Sequence, residues 1–137
     1  MSLYLCVFAG RDELDGVEIG GYSDFNAMRC AIAGVLEEGV PGRRFPTLML
    51  HSDCEGKWPV EACSRLQCEL VAIISGLKSH PPLPFQGDWQ KAVAEARALA
   101  PQNAFESFID VDGEFVLQRM QRLVEVALEH GLPVLFQ

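Results

Sequence analysis

Residues 49–59, MLHSDCEGKWP, bring together side chains that can bind metals, transfer protons or act as nucleophiles. Imidazole, thiolate and carboxylate groups all bind zinc, and His51, Asp53, Cys54 and Glu55 supply them in one short segment. Structural zinc sites usually draw pairs of ligands from separate elements, however, and no second His/Cys pair with comparable spacing occurs in this sequence. We therefore expect neither a bound metal nor another cofactor.

A nucleophilic Cys54 needs a base close enough to lower the pKa of its thiol, and His51 is the candidate base. Residues three apart at the end of a strand point in different directions unless the loop folds back. The competing interpretation is a turn capped by the side chains of Ser52 and Asp53, with the Trp58 ring packed on the next helix. The pattern favours recognition, and a small cysteine- or metal-dependent enzyme using His51 and Cys54 is the alternative function.

The elements that position this segment follow from the spacing of apolar residues and from turn signals. Asp15-Gly16 predicts a hairpin turn between the first two strands. Strands are predicted at 3–8, 17–19, 47–51, early in 107–114 and at 132–137. Helices are predicted from Ser23 or Asp24 up to Gly39, from 59 to about 77, from 89 to 100 and from 115 to 130. This order predicts a single α/β or α+β domain over residues 1–137, with a small mixed β-sheet packed by about four helices.

The charge of the chain limits its partners. The 137 residues include 19 acidic and 11 basic ones, which gives a formal net charge of −8. Nucleic acid is not expected as a partner, because no basic stripe is present to neutralise phosphates. The acidity suits either solubility or a surface complementary to a basic protein, whose association it would accelerate.

The apolar segments and the cysteines of the sequence predict the cellular compartment of the protein. No apolar stretch approaches the roughly 20 residues that cross a membrane, so no membrane contact is expected. The apolar run at 3–8 lacks a preceding basic segment and a convincing cleavage site, so it predicts a strand rather than a signal peptide. The five cysteines form no CxxC pair and are expected to stay unpaired in a reducing compartment. These features predict a cytoplasmic protein.

Five segments along the whole sequence occur in a characteristic order, namely LYLCVF, DGVEIGGYSDF, RFPTLMLHSDCEGKW, SFIDVDGE and GLPVLFQ. Together they resemble the bacterial Immunity protein 70 family. The resemblance spans residues 3 to 137 and is weakest between 78 and 104. It implies a member of a polymorphic-toxin system, in which a small cognate protein neutralises a toxin by stoichiometric binding. The resemblance provides no catalytic residues to carry over.

The predicted partner-binding residues form two groups. One is the acidic group near the N-terminus, and the other follows the predicted strand 47–51. Charged and tryptophan side chains of this kind are typical contacts in protein interfaces. The residues are Asp12, Glu13, Asp15 and Glu18 in the first group and Asp53, Glu55 and Trp58 in the second. The expected partner is the toxin domain, and a homodimer formed through an exposed strand or helix is a further possibility.

Overall fold

A long N-terminal hairpin forms one half of the sheet in the computed structural model, which describes residues 2–137. Strand β1 spans Ser2–Ala9 and pairs antiparallel with β2, which spans Asp12–Gly21. The turn between them contains Gly10, whose φ of +65° is the left-handed conformation that tight hairpin turns require. The predicted turn at Asp15-Gly16 is therefore wrong, because both residues lie inside β2.

Two short strands complete a four-stranded sheet. Strand β3 spans Lys57–Trp58, and β4 spans Val134–Phe136. The strand order is β2-β1-β4-β3, and each of the three pairings between these strands is antiparallel. The C-terminal strand thus lies between the N-terminal hairpin and β3, which confirms a strand within the predicted range 132–137.

Helices pack on the face of the sheet that carries Leu3, Leu5 and Val7, all fully buried. The helices are α1 (Tyr22–Leu36), α2 (Pro46–Met49), α3 (Val60–Lys78), α4 (Asp88–Ala96) and α5 (Val116–His130), with a 3₁₀ turn at Phe105–Ser107. One hydrophobic cluster joins this face of the sheet to α1, α3 and α5. The expected α+β class is confirmed, with an antiparallel sheet in place of the mixed one that was expected.

The predicted strand at 47–51 is wrong, since Pro46–Met49 forms the short helix α2. Pro46 fits the start of a helix because the first turn needs no partner for its missing N–H. Glu69 of α3 accepts hydrogen bonds from the backbone N–H groups of Thr47 and Leu48, at 3.1 and 3.0 Å. A side chain from a distant element therefore satisfies the first turn of α2, which explains why the local apolar pattern was misleading.

The predicted strand in 107–114 is reduced to one bridge between Ile109 and Phe115. The buried carboxylate of Asp110 accepts hydrogen bonds from the backbone N–H groups of Asp112 and Glu114, at 2.9 and 3.0 Å. This local turn competes with strand pairing for the same backbone groups. Burial raises the pKa of the Asp110 carboxyl, although the two backbone hydrogen bonds oppose that shift. The predicted helix 89–100 also ends earlier, at Ala96.

Candidate binding surface

Both ring nitrogens of His51 lie beside main-chain carbonyl oxygens. Nδ1 is 2.9 Å from the oxygen of Ser52, and Nε2 is 2.9 Å from the oxygen of Lys57. The Lys57 carbonyl lies on the outer side of β3, because the preceding carbonyl, of Gly56, accepts from the Phe136 N–H of β4. The His51 ring also stacks on Phe136, with centroids 4.2 Å apart. His51 thus covers the outer edge of β3.

The Cys54 thiol belongs to a turn rather than to a pair with His51. The Ser52 hydroxyl oxygen lies 3.7 Å from Cys54 Sγ and accepts from the backbone N–H groups of Cys54 and Glu55. The hydrogen bond that Asn26 donates, at 2.5 Å, lowers the pKa of the Asp53 carboxyl. Within residues 2–137, no group of three His, Cys, Asp or Glu side chains is placed to hold a metal ion. The predicted side-chain-capped turn is confirmed for Ser52, whereas the Asp53 carboxylate accepts a hydrogen bond from Asn26 of α1.

A buried arginine holds the turn against α1. Arg29 is only 8 % exposed, and its guanidinium donates to the carbonyls of Leu48, Met49 and His51 at 3.1, 3.3 and 2.7 Å. It also donates to the side-chain oxygen of Asn26 at 2.5 Å. Leu48 and Met49 lie at the end of α2, where carbonyls lack partners within the helix. Arg29 therefore supplies the donors for the end of α2 and for the start of the following turn.

Trp58 lies in the core. It is 2 % exposed, and its indole N–H donates to the carbonyl of Thr47 at 3.1 Å. Its ring packs edge-on against Phe136, with centroids 4.7 Å apart. The ring therefore offers no surface to a partner, whereas Asp53 is half-buried and Glu55 is exposed.

The acidic residues of the hairpin point to different sides of the sheet. Asp15 shares the inward side of β2 with Val17 and Ile19, and its Oδ1 is 3.3 Å from Nη2 of Arg119 on α5. Arg119 also donates to the carbonyl of Gly16 at 2.8 Å. Asp15 thus joins the hairpin to α5. The exposed acidic residues are Asp12, Glu13 and Glu18.

The opposite face of the hairpin carries an ordered tyrosine. The Tyr4 hydroxyl donates to Oε1 of Glu13 at 2.5 Å, and the tyrosine side chain lies over Gly16. A Cβ at position 16 would overlap the tyrosine hydroxyl, so a larger residue there would displace the Tyr4 side chain from this position. The hydrogen bond to the Glu13 carboxylate raises the pKa of Tyr4 to about 12. Gly16 therefore makes room for an aromatic side chain instead of forming a turn.

Replacing Glu13 with glutamine is expected to lower the pKa of Tyr4 from about 12 toward the ordinary value of 10.0, because the charged acceptor is lost. The raised pKa means that this contribution to stability is present below pH 10 and is lost as the pH rises through about 12. A tyrosinate absorbance titration measures the change, and Tyr4→Phe identifies the signal. An unchanged titration in Glu13→Gln would contradict the hydrogen bond.

The two predicted groups of binding residues lie at opposite edges of the sheet. The acidic hairpin residues are on or beside β2, whereas Asp53 and Glu55 belong to the turn before β3. In the order β2-β1-β4-β3 these edges are three strand spacings apart, or about 14 Å. The structure therefore does not bring the two groups into one cluster.

Comparison with known protein families assigns the chain. The family described as Immunity protein 70 matches residues 3–136, nearly the whole sequence. The chain belongs to the Immunity protein 70 family. No curated protein and no solved structure matches it.

The Immunity protein 70 match confirms the resemblance found in the sequence.

Among the residues that the structure describes, no helix is long and apolar enough to cross a membrane.

Two residues that shape this Immunity protein 70 chain were not identified from its sequence. Tyr4 lies in an apolar run that predicts a strand buried on both faces. In β1, however, Tyr4 alternates with the buried Leu3, Leu5 and Val7, so its side chain lies on the opposite face of the sheet. Arg29 lies between Phe25 and Ile32, on the apolar side of α1. A cationic side chain on the buried side of a helix needs hydrogen-bond acceptors in the protein interior. The place of Arg29 among apolar residues is therefore the sequence signal that could have identified it.

Proposed function

We propose that this protein is an immunity protein that neutralises a cognate toxin by stoichiometric binding. Membership of the Immunity protein 70 family over residues 3–136 is the observation that carries the proposal. The geometry of residues 51–55 supports it, because His51 is engaged with carbonyl oxygens and Cys54 with its own turn. In this proposal the protein blocks the toxin by contact and needs no cofactor.

The proposed unit of function is the whole chain, acting as one domain in the cytoplasm. One hydrophobic cluster joins the sheet to its helices, which supports a single unit. The five free cysteines are compatible with a reducing compartment.

The proposed toxin carries a cationic surface. The net charge of −8 favours attraction to such a partner, and the exposed carboxylates of the hairpin concentrate part of that charge at one edge of the sheet. We place the main contacts at Asp12, Glu13 and Glu18. Asp53 and Glu55, at the opposite edge, are secondary contacts in this proposal. Asp15 and Trp58 are not contacts in this proposal, because Asp15 pairs with Arg119 and Trp58 is buried in the core.

Co-expression with the polypeptide encoded immediately upstream tests the proposed function. We expect the immunity protein to restore growth to cells in which that polypeptide is toxic, and a 1:1 complex to form between the purified proteins. Growth arrest despite normal levels of folded immunity protein, with no complex, would overturn the proposal.

Reversing two exposed charges that make no hydrogen bond to Tyr4, Asp12→Lys and Glu18→Lys, is expected to slow association with the toxin domain by roughly 10-fold at low salt. Electrostatic attraction acts mainly on the association rate, so dissociation should change less. Surface-based kinetic measurements at two salt concentrations provide the comparison.

The matched control carries Glu95→Lys and Glu129→Lys, which change the net charge equally but lie exposed on α4 and α5. A similar decrease in both double variants would show that overall charge, rather than the hairpin edge, controls association.

A further inference from the structure

The face of the sheet opposite the helices combines an apolar centre with exposed polar groups. Tyr4, Cys6 and Phe8 alternate with the inward residues of β1 and therefore lie on this outer face. Leu135 pairs with Cys6 and extends the face onto β4. Tyr4, Phe8 and Leu135 are half-buried, and together they provide apolar surface above the buried Cys6.

The polar border of this outer face is asymmetric. Glu18 pairs with Tyr4 and Glu13 pairs with Phe8, so both exposed carboxylates lie on the β2 side. Lys57 pairs with Leu135 on the β3 side. An apolar centre surrounded by polar groups is the common anatomy of protein interfaces.

Tyr4 is suited to act as a rigid contact. Its side chain lies over Gly16, and its hydroxyl is held by Glu13. An aromatic side chain that is already fixed loses little conformational freedom when a partner binds. Tyrosine is also among the residues that contribute most often to binding energy in interfaces.

We propose that this outer face, defined by Tyr4, Phe8 and Leu135 with Glu13 and Glu18, is the surface on which the toxin domain docks. The inference rests on the proposed function and adds to it the face, the central contacts and the chemistry of the partner. The partner surface has an apolar centre bordered by Lys or Arg side chains that meet the β2 carboxylates. A second copy of this chain is less favourable, because each copy carries a net charge of −8.

Phe8→Arg tests the docking surface. The probe is the purified polypeptide encoded immediately upstream, which is the proposed toxin, and affinity is measured by calorimetry. Placing a cation in the apolar centre is expected to weaken binding by at least about 100-fold, the range of an interface hot spot. Val71→Arg is the matched control, because Val71 is 53 % exposed on α3, which lies in the helix layer. It should change affinity by less than about twofold, as expected for a residue outside the contact.

A second variant, Glu18→Arg, keeps the test valid if Phe8→Arg fails to fold. Glu18 is exposed and borders the same face, so its reversal should weaken binding at least about 10-fold without unfolding the protein. Circular dichroism and thermal unfolding establish that each variant is folded.

The results separate this inference from the proposed function. If the wild-type protein does not bind the toxin domain, the proposed function fails. If the wild-type protein binds and folded Phe8→Arg and Glu18→Arg bind equally well, the docking face is wrong while the proposed function stands. Sedimentation showing a wild-type dimer that Phe8→Arg dissociates would assign this face to a second copy and also overturn the docking inference.

Discussion

Arg29→Ala is expected to lower the free energy of unfolding by about 3 kcal/mol, which corresponds to a decrease in Tm of roughly 10 °C. The guanidinium is buried and serves three main-chain carbonyls between α2 and the turn at His51. Removing it leaves those carbonyls without their donor and also removes the hydrogen bond to Asn26. Because Asn26 holds Asp53, the 51–55 turn should loosen as well. Urea unfolding measures the loss.

The control for Arg29 is Arg43→Ala. Arg43 pairs with Glu38 at 3.0 Å, but both side chains are more than half exposed. Exposed ion pairs contribute little, so this variant should lose no more than about 0.5 kcal/mol. Equal stabilities of the two variants would contradict the structural role assigned to Arg29. Faster hydrogen exchange in residues 48–55 of Arg29→Ala would locate the effect in the turn.

Glu37→Ala is expected to lower the free energy of unfolding by about 3 kcal/mol. Glu37 is 1 % exposed, and its carboxylate accepts hydrogen bonds from the backbone N–H groups of Gly42, Arg44 and Phe45, at 3.3, 2.8 and 2.9 Å. Removing the carboxylate leaves three donors without an acceptor in the loop that leads into α2. Thermal and urea unfolding should agree on the loss.

The adjacent Glu38 supplies a chemically matched comparison. Glu37→Gln removes the charge and replaces one acceptor oxygen with a donor, so it should cost about 2 kcal/mol. Glu38→Gln makes the same change at an exposed position and should cost no more than about 0.5 kcal/mol. Similar losses at both positions would show that the carboxylate of Glu37 does not organise the 42–45 loop.

The local sequence pattern was sufficient to predict the long helices. It was not sufficient for segments whose conformation depends on contacts with residues distant in the sequence. The apolar spacing that predicted helices 59–77 and 115–130 matches α3 and α5 closely. The segment TLML was predicted as a strand because its apolar run is short. Its helical form depends on hydrogen bonds with Glu69 and Arg29. Both residues lie on other helices, so the apolar pattern of the segment itself contains no information about them.

The turn signal at Asp15-Gly16 was misleading for a different reason. Asp15-Gly16 was interpreted as a turn, but Gly16 lies inside β2 and leaves the space that the Tyr4 side chain occupies. The candidate surface, too, could not be predicted from residue types alone. Acidic residues could be counted in the sequence, whereas the inward direction of Asp15 and the burial of Trp58 follow from strand register and packing.

Titration of toxin activity with the immunity protein tests the central claim most directly. The polypeptide encoded immediately upstream, which is the proposed toxin, is held at a concentration well above the dissociation constant of the complex, and its residual activity is measured after each addition. Stoichiometric binding predicts a linear loss of activity that ends at one immunity protein per toxin, with activity recovered after the complex is separated under denaturing conditions and refolded. Complete and permanent inactivation by far less than one equivalent would contradict this account and indicate catalysis.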